Sequence, residues 1–259
     1  MWKNRKELTY VFILIFVCLL SVIYVTGSNR QEKKELQEEQ EKLSIVKEKK
    51  DSKQKKDSYN NLTTTLTEEF HSLQQENPDM VGWITIPGTK IDDPVMQRVE
   101  DENYYLYRDF YGNKNQKGSL ILSNGCDVTS KISNWIIHGH NMSSGEMFGE
   151  LEKYRVPEFR EEHALIFLQV EAKVRTYLVM GAFESQVYYE NDDVFKFYHC
   201  YEIRNKEEFD FFYQNIKELF LYDSEITAVY GDVFLLLSTC SYHTENGRFV
   251  VVAKQVYLE

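Results

Sequence analysis

Apolar residues recur along the second half of the chain in short runs bounded by turn residues. The runs are Val81–Ile86, Gly118–Ser123, Trp135–His138, Ala164–Val170, Thr176–Phe183, Ile226–Tyr230, Val233–Cys240 and Phe249–Val256. Runs of four to eight residues rich in Val, Ile, Leu and aromatics, separated by Gly, Asn, Asp and Pro, predict strands. A further short strand follows the Pro87-Gly88 turn. Two segments break this pattern. Leu62, Leu66, Phe70 and Leu73 recur at helical spacing over 62–75, and Asn77-Pro78 ends that run. Phe209, Phe212, Ile216, Leu219 and Phe220 line one face of a helix predicted over 207–221. Many short strands and two helices predict a mainly β protein, a barrel or sandwich with helical additions.

Upstream the pattern changes. Residues 8–27 begin an uncharged apolar stretch behind Lys3, Arg5 and Lys6. Its length suits a helix crossing the hydrocarbon core, and the basic flank at 1–7 favours a cytoplasmic N-terminus. A cleaved signal peptide is the competing reading, with Val25-Thr26-Gly27 as its cleavage site. Residues 28–61 are rich in Glu, Lys and Gln and predict a solvated spacer. The folded domain is then 62–259, with its core in an extracellular compartment.

The net charge of −11 gives no electrostatic case for nucleic acid. Four cysteines, Cys18, Cys126, Cys200 and Cys240, lack any CxxC pair, which argues against a zinc-finger or disulfide-dense scaffold. A Cys126–Cys200 bridge stays open.

Candidate chemistry gathers at strand ends. Cys240 closes the run Val233–Cys240, so it sits where a strand gives way to a loop. Asn246-Gly247 is a hairpin turn signal, and an antiparallel return brings Arg248 back towards Cys240. A thiolate nucleophile needs a base and a nearby cation, and a guanidinium can also hold the oxyanion formed when sulfur adds to a carbonyl. Buried filler and an exposed arginine are the plain alternatives for each residue taken alone. His138, His140 and His243 all compete as the base, and spacing does not choose among them. His138, His140 and Cys240 can also be read as three zinc ligands, but Arg248 nearby opposes a cation.

Three segments, in this order, resemble the sortase family of Gram-positive cell-surface transpeptidases. Gly139-His140-Asn141-Met142 resembles the segment bearing the family histidine. Leu237-Ser-Thr-Cys240 resembles the Thr-Leu-x-Thr-Cys signature, with Leu236 where the first Thr is usual. Gly247-Arg248-Phe249-Val250 resembles the last strand with its arginine. Gly82-Trp-Ile-Thr-Ile-Pro-Gly-Thr89, Pro94-Val-Met-Gln97 and the helix at 207–221 are similar to class B. His138 stands where tyrosine is frequent.

The resemblance implies a closed β-barrel with an N-terminal helix and one inserted amphipathic helix. It implies a membrane-anchored cysteine transpeptidase, with a peptidase half-reaction. Cys240 is then the nucleophile, His140 the general acid and base, and Arg248 the oxyanion and substrate stabiliser; Ser238 and Thr239 are candidate substrate contacts. The implied partners are secreted proteins with a C-terminal sorting signal like Asn-Pro-x-Thr-x, cleaved after Thr, and an amine of peptidoglycan or its lipid-linked precursor. No metal or other cofactor is implied. Two other readings stand beside it. One is a pilin-polymerising sortase of another class, against which we expect the lack of a second apolar run before Glu259 to speak. The other is a non-catalytic surface barrel that binds peptides.

Overall fold

The computed structural model describes residues 70–130, 134–171 and 173–257. The expected membrane segment 8–27, the spacer 28–61 and the first half of the 62–75 helix lie outside the described residues. Residues 70–76 are helical, and Phe70 is buried against Met80, Met96, Tyr105 and Ile121. Among the described residues no helix is long and apolar enough to cross a membrane.

Eight strands close into a barrel: β1 (Met80–Thr85), β2 (Asp92–Met96), β3 (Leu120–Leu122), β4 (Trp135–Gly139), β5 (Leu165–Val170), β6 (Lys173–Gln186), β7 (Phe234–Cys240) and β8 (Gly247–Val256). Their order around the barrel is β1-β2-β3-β4-β7-β8-β6-β5. Closure pairs every strand on both sides and removes exposed edges. Most pairs are antiparallel. The exceptions are β2 with β3 and β4 with β7, which run parallel.

Besides the helical residues 70–76, the described residues include two further α-helices: α1 (Pro157–Glu162) and α2 (Lys206–Leu219). Asn205 caps α2, its side chain accepting from the Glu208 N–H at 2.8 Å, a standard way to satisfy an orphan helical donor. Phe209, Phe212 and Ile216 form the buried stripe of α2. The Phe212 ring lies 4.9 Å from that of Phe234. A helix can cover a closed barrel only from outside, so Phe234 faces outward. By strand alternation Leu236, Ser238 and Cys240 share that face, while Leu235, Leu237 and Thr239 face inward.

One predicted strand is absent. Residues 226–229 alternate in burial, with Ala228 buried and Val229 exposed, yet no ladder forms. Their backbone donors are taken by side chains instead. The N–H of Ile226 donates to Ser224 Oγ, that of Ala228 to Tyr213 Oη and that of Val229 to Asp232 Oδ2. The segment therefore lies against α2 without joining the sheet.

Candidate active site

The last ladder pair between β4 and β7 is Gly139 with Thr239. His140 and Cys240 are the next residues, so they leave two adjacent parallel strands at the same height. On the other side of β7, Cys240 is the register partner of Arg248. The hairpin expected from Asn246-Gly247 is present, with Asn246 at φ 55°, a left-handed conformation that Asn tolerates. Three neighbouring strands thus bring histidine, cysteine and arginine together at one end of the outer wall.

Side chains finish the ladder where the backbone stops. Thr239 Oγ1 donates to the Gly139 carbonyl at 2.8 Å. The Asn141 amide donates to the Cys240 carbonyl at 2.9 Å. Cys240 itself is half-buried and free.

His140 is held from the flank. Its Nε2 lies 2.8 Å from the Leu106 carbonyl, and its ring lies 5.3 Å from that of Tyr107. Both belong to a 3-10 helix, Tyr104–Tyr107. A carbonyl only accepts, so Nε2 carries a proton and Nδ1 is left to exchange one. Neither Leu106 nor Tyr107 was singled out from sequence; a backbone carbonyl leaves no signal in residue type. Arg248 turns its Nη1 to the carbonyls of Asn246 and Gly247, at 3.3 and 3.0 Å.

Ser238 and Thr239, the candidate substrate contacts, are each 1% exposed. The Thr239 hydroxyl is committed to Gly139, and the Ser238 hydroxyl, on the outer face, has no hydrogen-bond partner among the described residues. As placed, neither reaches solvent.

The two other histidines are separated by their surroundings. His243 sits in the β7–β8 loop, where its Nδ1 meets Ser241 Oγ at 3.0 Å and Glu184 Oε1 at 3.6 Å. His138 faces outward with Ser238. Burial pushes its pKa down to about 4; Glu102 works against that shift and Arg248 adds to it. Cys126 and Cys200 are free, and burial pushes both thiols up to about 12. Among the described residues no group of three or more His, Cys, Asp and Glu is arranged to hold a metal ion.

His138 yields a stability prediction. Its folded pKa is depressed, so between pH 6.5 and about 4 the unfolded chain binds a proton that the folded chain refuses. Stability is lost as pH falls through that window. Asp93, pushed up to about 6 from 3.8 by burial, acts with the opposite sign over an overlapping range. The difference between two proteins isolates the histidine. On going from pH 7 to 4.5, His138→Gln should lose roughly 2 kcal/mol less than the parent in denaturant titrations. Equal losses would show that His138 is not held neutral by the fold.

A thiol and an imidazole carried on parallel neighbours in the wall of a closed barrel are the kinds of group an acyl-transfer enzyme uses. A sortase-domain family model matches residues 84–256, more than half of the chain, and the chain belongs to the sortase family of cysteine transpeptidases. Its relatives set the class as B. The chain is 31% identical to Sortase B of Listeria monocytogenes over 86% of its own length and 88% of that protein's. It is 26% identical to Sortase B of Staphylococcus aureus, covering 97% of this chain and 98% of that one. The structure of a Staphylococcus aureus sortase B–substrate complex superposes with a TM-score of 0.65 at 26% identity, covering 80% of this chain and 99% of that one. Sortase B from Bacillus anthracis in complex with AAEK1 gives 0.63 at 33% identity, covering 73% and 84%.

Proposed function

We propose that this transpeptidase is anchored in the membrane by residues 8–27, with its barrel outside the cell. It cleaves a C-terminal sorting signal of the Asn-Pro-x-Thr-x kind and passes the protein to a cell-wall amine. The observation that carries the reading is the register of β4, β7 and β8, which aligns His140, Cys240 and Arg248. Similarity to a sortase B solved with its substrate supports a peptide ligand.

In this reading His140 Nδ1 takes the proton of the Cys240 thiol, the thiolate adds to the carbonyl carbon after Thr, and Arg248 swings from its turn carbonyls to the oxyanion. The C–N bond breaks as His140 Nδ1 hands its proton to the leaving amine. A thioester remains. The incoming amine gives a proton to Nδ1, attacks the thioester carbon and releases the thiolate. The net change is one amide bond exchanged for another.

Full-length protein in detergent, mixed with a set of Asn-Pro-x-Thr-x peptides, should accumulate an acyl adduct. Peptide mapping by mass spectrometry should place it on Cys240, with the mass of the peptide cut after Thr. An adduct elsewhere, or cleavage at another bond, would overturn the assignment.

A further inference from the structure

The inner face of the wall behind Cys240 carries a polar network that the reaction scheme does not use. Thr239, Phe249 and Glu184 are register partners across β7, β8 and β6, one residue along from Cys240, Arg248 and Ser185. Alternation puts them on the face opposite the thiol. Over them lies Arg155, the last residue of a 3-10 helix, Leu151–Arg155. Its guanidinium carbon sits 4.7 Å from the Phe249 ring centroid, and Phe249 is fully buried. Nη2 of Arg155 pairs with Glu184 Oε1 at 2.7 Å and donates to Ser241 Oγ at 3.4 Å. Glu152 Oε1 lies 3.9 Å from the same nitrogen and accepts from the Asn141 amide at 3.4 Å. Asn141 Nδ2 also donates to the Cys240 carbonyl.

Arg155 is therefore tied to the Cys240–Ser241 peptide along two routes. One runs through the Ser241 hydroxyl. The other runs through Glu152 and Asn141 to the Cys240 carbonyl. The Asn141 link also fixes the residue after His140, so one network reaches the chain beside both reacting groups. A planar guanidinium stacked on a ring presents its donors in a fixed fork, which an ammonium cannot do. We infer that Arg155 is a positioning residue for the transpeptidation, holding the Cys240–Ser241 peptide from the inner face so that sulfur and imidazole stay aligned on the outer face.

This rests on Cys240 as the nucleophile, and the test separates the two ideas. Full-length protein in detergent is assayed with whichever Asn-Pro-x-Thr-x peptide acylates the parent, and also by the rate at which iodoacetamide modifies Cys240, mapped by mass spectrometry. Half-exposed ion pairs contribute little to stability, so Arg155→Met, which keeps packing on Phe249, should fold with nearly the parent's melting temperature. It should lower kcat by about tenfold or more, as a misplaced reacting group does, with KM within about twofold. Arg155→Lys should recover only part of the loss. Should Arg155→Met not fold, Asn141→Ala and Ser241→Ala, each deleting one link, carry the same expected split. An unchanged kcat, a change in KM alone, or a loss that tracks melting temperature overturns the role. Cys240→Ala is run alongside. If it stays active or another residue is acylated, the nucleophile assignment falls; if it is dead while Arg155→Met is fully active, only the role of Arg155 falls.

Discussion

Cys240→Ala is expected to lower acyl transfer by at least about a thousandfold while leaving the barrel folded. The size follows from the chemistry: no neighbouring group can form the thioester in place of sulfur, and removing a nucleophile costs far more than removing a binding contact. The fold should tolerate the change because Cys240 is the last residue of β7 and only half-buried. What it contributes to the barrel is backbone, with its carbonyl held by Asn141, and alanine keeps that carbonyl. The melting temperature should move by a few degrees at most. The check is to measure peptide cleavage and thermal unfolding on the same preparation. A variant that keeps even a tenth of the activity would remove Cys240 from the mechanism.

His140→Gln should cost about 10²- to 10⁴-fold in kcat, the range for a positioned general acid and base. Glutamine is the informative replacement because its amide can still donate to the Leu106 carbonyl that His140 Nε2 meets. The contact with the flanking 3-10 helix is kept while the exchangeable proton is lost. Single-turnover acylation separates this from binding: the acylation rate should fall with little change in the peptide concentration for half-saturation. A loss below about tenfold would move the proton-transfer role elsewhere. His243, in the loop after Cys240 and in contact with Ser241 and Glu184, would be the first to examine.

The strands of the central wall were legible because both of their faces are buried. Phe234 to Leu237 are all fully buried, and α2 covers Phe234 from outside; such strands read as unbroken apolar runs. The β7–β8 hairpin was legible through Asn246-Gly247. The 226–230 stretch was misread because its β-rich composition also suits an irregular segment whose donors are met by side chains. The three chemical groups could be picked out by residue type and position. Spacing alone did not choose among the three histidines, and only the resemblance of Gly139-His140-Asn141-Met142 pointed to His140; the parallel pairing that sets His140 beside Cys240 is encoded by no local pattern. The support around them was equally silent: the Leu106 carbonyl belongs to backbone, and Arg155 looks like any basic residue ending a short helix.

That parallel pairing has a consequence for timing. Gly139 and Thr239 are 100 residues apart in the chain, and strands side by side in the same direction cannot be joined by a tight turn. Contacts so distant in sequence close late in folding. The sulfur therefore comes beside its imidazole only when β7 has joined β4 in the wall. A chain whose barrel is still open carries an unpartnered thiol, and by the proposed mechanism the capacity to cut peptides arrives with completion of the barrel itself.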